Sequence, residues 1–324
     1  MVLNHLPITN QPIAQFVQKN SLSIGSTQSL PAVIGRNNRH MNKLLLLFAI
    51  LVFAACKDAP EQIPAYLNLK PFEVSAAGGT DWQEITDGWI YVNGAYLGAY
   101  TLPALVPVLA EGESEVIVFP GVKENGIENT PNIYPYLTKF TKKYNLTGGQ
   151  TTSVQATTDY DPDIQYAFGI GRGDFDGGSF IALENRDSDD AVNSELTTAG
   201  AFAGQSILMQ VDTAHPIMDV ATEKMENLPT LGAPEVWLEI NYKTDIPFFL
   251  YLLSGSQQSS VFVFLFNTSE EWNKTYLNIT SNIVNTAESE QRLFFRLSLP
   301  KDNAGNYTRN SGKVMIDNIR VVHY

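Results

Sequence analysis

Few residues in this 324-residue chain could carry chemistry. Its one cysteine, Cys56, excludes a disulfide framework and any multi-cysteine zinc or iron–sulfur site. Of the four histidines, His5 and His40 precede that cysteine, and His215 and His323 follow it. A Ser-His-Asp triad needs a histidine within hydrogen-bond reach of its nucleophile. His215 stands before Pro216 in an apparent loop and His323 is penultimate, so both read as surface residues. Carboxylate pairs are present at Asp187, Asp189 and Asp190 and at Glu270 and Glu271. Glycoside hydrolysis needs two such groups close in space whatever their sequence spacing, yet a chain with 34 acidic residues supplies neighbours by composition alone. Asp159, Asp161 and Asp163, or Asp174 and Asp176, could offer oxygens to calcium, but neither stretch has the twelve-residue loop with its closing glutamate. Gly169-Ile-Gly171-Arg-Gly173 lacks the βαβ unit of a phosphate loop, and Arg172-Gly173-Asp174 is a tripeptide common by chance. The stretch reads as an acidic flexible linker. No metal, no cofactor and no enzyme activity is expected.

The elements that must hold such residues begin with an uneven distribution of charge. The chain is 44% hydrophobic and 17% charged, a globular composition, with a net charge of −13. Residues 1–55 contain no Asp or Glu and four basic residues, Lys19, Arg36, Arg39 and Lys43. The body from residue 56 therefore carries 34 acidic and 17 basic residues, a net −17 that argues against nucleic acid as a partner. Met41-Asn-Lys43 is followed by twelve unbroken apolar residues, Leu44 to Ala55, short of the roughly 20 a membrane-spanning helix requires. Charged start, short apolar run and small residues before a cut describe a signal peptide.

Phe53-Ala54-Ala55-Cys56 resembles the lipobox of bacterial lipoproteins, with Phe53 where that family prefers Leu. The resemblance implies cleavage before Cys56 and a lipid on its sulfur, with the lipid chains anchoring the protein in a membrane. Lys57-Asp-Ala-Pro-Glu61 resembles the tether of surface lipoproteins of Bacteroidota-type bacteria. Residues 1–40 are then an upstream extension, 41–55 the signal peptide and 56–62 the tether. The expected location is the cell envelope, anchored in the outer membrane and facing either the surface or the periplasm.

From residue 63 the pattern is β throughout. Trp89 to Val92, Asn93-Gly94 and Ala95 to Gly98 signal a hairpin, because Asn-Gly supplies the positive φ angles of a type I′ turn. Glu115 to Phe119 is a strand, and Thr138 to Leu146 with Thr151 to Asp159, around Gly148-Gly149, reads as a second hairpin. With Pro103, Glu111-Gly112-Glu113 and Val116-Ile-Val118, this segment (63–159) resembles small Ig-like β domains of the PEGA type. Lys123 to Pro131 is an insertion on that pattern, either a decorated edge or a contact surface.

In 160–324, Val236 to Lys243 alternates, with Leu238, Ile240 and Tyr242 on one face and Trp237, Glu239, Asn241 and Lys243 on the other. Phe248 to Leu253 and Val261 to Phe266 are apolar on both faces, as expected of strands with both faces covered. Met218 to Leu228 is the one weak helical candidate. Trp237 to Tyr242, Glu271 to Thr280 and the closing Ile316-Asp-Asn-Ile-Arg-Val321 resemble jelly-roll modules of the carbohydrate-binding and galactose-binding-like kind. The fold class is thus all-β, a small Ig/PEGA-like domain followed by a jelly-roll sandwich. Sugars stack on exposed rings beside polar groups, which selects Trp237 with Glu239 and Asn241, then Trp272 and Tyr276, as candidate glycan ligands. The expected function is a non-catalytic, lipid-anchored binding protein. The alternatives are a structural or assembly lipoprotein that binds another envelope protein and, less favoured, a glycoside-active enzyme.

Overall fold

The computed structural model describes residues 61–75, 82–168, 171–189, 191, 193–232, 235–255, 259–286 and 290–324. The upstream extension, the signal peptide, Cys56 and the tether up to Pro60 lie outside the described residues. No helix among the described residues is long and apolar enough to cross a membrane.

The N-terminal region comprises β1 (Ala65–Leu69), β2 (Glu73–Val74), β3 (Asp87–Val92), β4 (Ala95–Thr101), β5 (Ala104–Val108), β6 (Gly112–Lys123), β7 (Pro131–Ile133), β8 (Phe140–Leu146), β9 (Thr151–Val154) and β10 (Thr157–Thr158). One sheet runs β4-β3-β6-β7, with β8 also on β6, and it faces a smaller sheet β5-β1-β9. Leu67, Leu69, Ile90, Val106, Val116, Val118 and Val154, all fully buried, fill the space between them. Asn93 and Gly94 take φ of 50° and 80°, which turns β3 back into β4. The second expected hairpin does not form. β8 pairs antiparallel with β6, whereas β9 pairs in parallel with β1. Gly148-Gly149 therefore carries the chain from one sheet to the other, because the apolar faces of the two strands are buried by different partners.

The C-terminal region comprises β11 (Gln165–Tyr166), β12 (Leu183–Asn185), β13 (Glu195–Thr197), β14 (Ser206–Asp212), β15 (Ile217–Thr222), β16 (Val236–Thr244), β17 (Phe248–Ser254), β18 (Ser259–Phe266), β19 (Ser269–Asn278), a short helix (Thr280–Thr286), β20 (Gln291–Ser298) and β21 (Ser311–His323). One sheet has the order β13-β14-β21-β16-β19 and the other β12-β15-β20-β17-β18. Setting aside the short outer strands, the two sheets interleave as 14-21-16-19 and 15-20-17-18, which is a jelly-roll sandwich. Ile240, Phe248, Leu250, Phe295, Leu297, Val314 and Ile316 are fully buried between the sheets. The stretch expected as a helix, Met218 to Leu228, instead supplies most of strand β15. Met218 and Val220 point inward while Asp219 pairs across the outer face with Arg296 of β20. Period 2 with β-sheet pairing outweighs a brief, weak helical pattern.

A third apolar cluster joins the two regions. Tyr134, Tyr136, Val122 and Leu137 from the N-terminal side pack on Trp237, Tyr276 and Val322 of the sandwich. The insertion Lys123 to Pro131 is a contact surface turned toward its own chain: Asn125 N–H donates to Tyr276 O at 2.8 Å, and its side-chain oxygen accepts from Asn278 N–H at 3.2 Å.

Candidate functional site

The residues expected to meet a ligand lie on the outer face of the β14-β21-β16-β19 sheet, and that face is covered. Trp237 is 1% exposed, Glu239 0%, Tyr276 2% and Asn241 3%. Trp237 meets Tyr134 edge-on at 5.4 Å, and Tyr134 meets Tyr276 at 5.0 Å. The Glu239 carboxylate accepts from Tyr134 Oη at 2.5 Å, Tyr160 Oη at 2.6 Å and Lys274 Nζ at 3.0 Å. Arg320 donates to Tyr160 Oη at 3.0 Å. Burial pushes the Glu239 carboxyl pKa up, but Lys274, Arg320 and the two phenols outweigh it and hold the group below its ordinary value. Burial depresses Lys274 and raises Tyr134, Tyr160 and Tyr276 well above the usual tyrosine range. This face is a joint between the two regions that shuts Trp237, Glu239 and Asn241 off from an external sugar, while Lys274 and Tyr276 border a cleft at its edge. Trp272 stands apart and half-buried, its Nε1–H donating to Gly200 O at 3.1 Å and its ring edge-on to Phe202.

Several other expectations change for the same reason. The stretch from Asp159 to Asp163 belongs to the joint and is not a free linker: Asp159 accepts from Ser75 Oγ at 2.7 Å, and Asp161 N–H donates to Tyr136 O at 2.9 Å. His323 is not a frayed terminal residue but 3% exposed in β21, where it pairs with Val236. His215, half-exposed, bonds Asp189 Oδ2 through Nδ1 at 2.6 Å, and that bond holds its pKa above the usual histidine value. Asp317 at 1% exposure accepts from Ser206 Oγ at 2.5 Å, and burial, reinforced by Asp174 and Asp176, pushes its pKa to about 7. Among the described residues no three His, Cys, Asp or Glu side chains stand together as a metal cage.

The opposite sheet presents what the covered one does not. Its outer face carries an uninterrupted cross-strand row, Glu184–Ala221–Phe294–Tyr251–Phe262, running over β12, β15, β20, β17 and β18. Beside it runs a second row, Asp219–Arg296–Phe249–Leu265. The Tyr251 ring lies 5.8 Å from both Phe294 and Phe262 and 6.2 Å from Phe249. Phe262 is 53% exposed, whereas Phe294 is 6% exposed and forms the floor. Arg296 lies 5.6 Å over the Phe294 ring and grips Asp219 with Nε and Nη2 at 2.7 and 2.6 Å. Arg292 is fixed by Thr222 O at 2.8 Å and Glu184 at 3.4 Å. The Tyr251 hydroxyl makes no hydrogen bond to any described residue. The sequence showed these strands as apolar on both faces, but the outer faces are open, and no spacing rule separates a covered apolar face from a binding one.

A smaller aromatic surface lies on the N-terminal region. Tyr91 is 5.1 Å from Tyr96 and 5.6 Å from Phe119, and Trp89 lies across Gly121, where a Cβ would collide with its ring at 2.2 Å. Lys139 sits over Phe119, but among the described residues no Arg–carboxylate pair is bound into these rings.

No protein-family model and no curated protein matches the chain. Among solved structures, a family 29 carbohydrate-binding module is similar over 49% of this chain and 86% of its own, at 13% identity and a TM-score of 0.30. TmCBM61 in complex with beta-1,4-galactotriose is similar over 48% of this chain and 98% of its own, at 12% identity and a TM-score of 0.30. An overlap this loose assigns neither family nor ligand, and the sandwich topology stands on its own strand order.

Proposed function

We propose that this protein binds a neutral glycan, without catalysis, on the outer face of the β12-β15-β20-β17-β18 sheet. The observation that carries the reading is the ring row Phe294–Tyr251–Phe262, floored by Phe294 and open at Phe262, with Arg296 and Asp219 locked beside it. Ring faces take up the C–H faces of a sugar, and fixed polar groups with a free phenol meet its hydroxyls. Each arginine on this face is paired with a carboxylate, so the surface is close to neutral within an acidic body, which favours an uncharged chain over an anionic one. The reading also keeps the lipid anchor at Cys56, through which the protein is held at the cell envelope, because the apolar run ending at Ala55 leads directly to the one cysteine.

The test is a glycan array followed by titration calorimetry. Tyr251→Ala should weaken binding at least about tenfold, or ~1.4 kcal/mol, while Tyr96→Ala on the N-terminal surface should leave it unchanged. The reverse pattern moves the site to the N-terminal region, and a wild type that binds no glycan leaves the assembly role as the better account. Metabolic palmitate labelling tests the anchor: Cys56→Ala should lose all label.

A further inference from the structure

We propose that the polar cleft where the N-terminal region meets edge strands β18 and β19 receives the terminal residue of the glycan chain whose body lies on the aromatic rows. The inference rests on the glycan reading of the open sheet and adds that the N-terminal region completes the site. The cleft has a volume of about 270 Å³, under the roughly 300 Å³ at which pockets begin to hold drug-sized ligands, so it fits one sugar ring and not a run of them. It is continuous with the platform: Leu265, 37% exposed, is the cross-strand partner of Phe249 in the second row and also lines the cleft. A chain laid along Arg296–Phe249–Leu265 therefore arrives at its mouth.

Lys123 and Gly126 border the cleft on the N-terminal side, and the Asn125 bonds to Tyr276 O and Asn278 N–H hold that turn against β19. A wall on that side suits a chain end or a one-residue branch better than a continuing polymer. The lining is polar and its charges offset one another: Lys123 pairs with Asp87 at 2.9 Å and reaches Glu128 at 3.5 Å, Lys274 pairs with Glu239 at 3.0 Å, and Glu84 adds a carboxyl. Beside these stand uncharged groups that a ligand hydroxyl can meet. Thr275, 3% exposed, has a hydroxyl that bonds to no described residue and faces Gly126, where an added Cβ would stand 3.9 Å from it. Asn273 donates to Tyr242 Oη at 3.1 Å and keeps its carbonyl oxygen for an incoming hydroxyl. Hydroxyls without net charge select a neutral sugar end, because a buried donor or acceptor that finds a partner only in the ligand penalises analogues lacking it.

The experiment uses the full chain from Cys56 onward and whichever of mannohexaose, cellohexaose and xylohexaose, or failing these the best array oligosaccharide, the wild type binds most tightly. Thr275→Val, which keeps shape and removes the hydroxyl, should weaken binding about five- to tenfold, and Thr275→Ser should restore it. Capping one end of the ligand, by reduction to the alditol or by O-methylation of the opposite terminus, should weaken wild-type binding to a similar degree, and Thr275→Val should be insensitive to that cap. Unchanged affinity in Thr275→Val and with both caps, alongside loss in Tyr251→Ala, overturns the cleft and leaves the platform standing. Failure of the wild type to bind any glycan removes both.

Discussion

The two sheets of the sandwich bear comparable outward chemistry and have opposite fates. Strand β16 puts Trp237, Glu239 and Asn241 outward, a composition that invites solvent, yet the N-terminal region buries all three. Strands β17 and β18 put Phe249, Tyr251, Phe262 and Leu265 outward, a composition that invites a cover, yet Phe262 and Leu265 remain 53% and 37% exposed. The difference lies in the partner. Tyr134 and Tyr160 bring phenol donors to Glu239, and with Lys274 they satisfy a carboxylate in a dry place, which the ions alone could not offset. Across the core, a buried Asp219 meets a half-exposed Arg296 in a two-point contact, so the arginine alone satisfies the carboxylate and water reaches only its outer edge. A polar outer face can therefore be a joint, and an apolar one can be a site.

That contrast breaks first at Glu239. Glu239→Gln leaves Lys274 and Arg320 positive in the joint and should cost about 3–5 kcal/mol of stability by urea unfolding. A loss under about 1 kcal/mol would mean the joint is wet. Tyr134→Phe removes one donor to a charged acceptor and should cost about 1.5–3 kcal/mol. Asp317, on the covered sheet, supplies a pH signature. Its folded pKa of about 7 lies above its unfolded value, so the native state binds the extra proton and this group's contribution falls as pH rises from the ordinary carboxylate range toward 7. Asp317→Asn, which cannot ionise, should accordingly gain stability relative to the parent as the buffer is moved from about pH 4 to pH 8. A difference independent of pH would contradict the buried, proton-holding carboxyl. Glu239 has the opposite sign: its depressed pKa gives stability present above the ordinary glutamate value and lost as pH falls through the folded one. The open sheet supplies the last test. Arg296→Ala leaves the 9%-exposed Asp219 carboxylate without its partner and should cost about 1–3 kcal/mol while lowering glycan affinity, which thermal shift and calorimetry on one preparation can separate.

Much of the framework was legible along the chain. Asn93-Gly94 located a hairpin because few other residues tolerate two successive positive φ angles. The alternation of β16 correctly sorted Leu238 and Ile240 from Trp237 and Glu239, since a strand's side-chain period is 2. The errors arose where one strand's pattern is compatible with two partners. Gly148-Gly149 suits a hairpin as well as a crossing between sheets, and Met218 to Leu228 is too short for a period to decide. The rings proposed for binding, Tyr251, Phe249 and Phe262, were passed over because stacking chemistry was sought first at Trp237, Trp272 and Tyr276.

Read along the chain alone, the body is acidic and all-β and one cysteine ends an apolar run, because composition and periodicities of a few residues act locally. The jelly-roll comes only as what the resemblance of the C-terminal strands to binding modules implies. Only the tertiary structure decided which sheet is covered, that Glu239 and Lys274 are partners at 0% and 3% side-chain exposure, and that β18 and β19 share a cleft with the N-terminal region. Burial is a property of a surface and whatever lies against it. Tyr134 and Glu239 are 105 residues apart, beyond the reach of any local pattern.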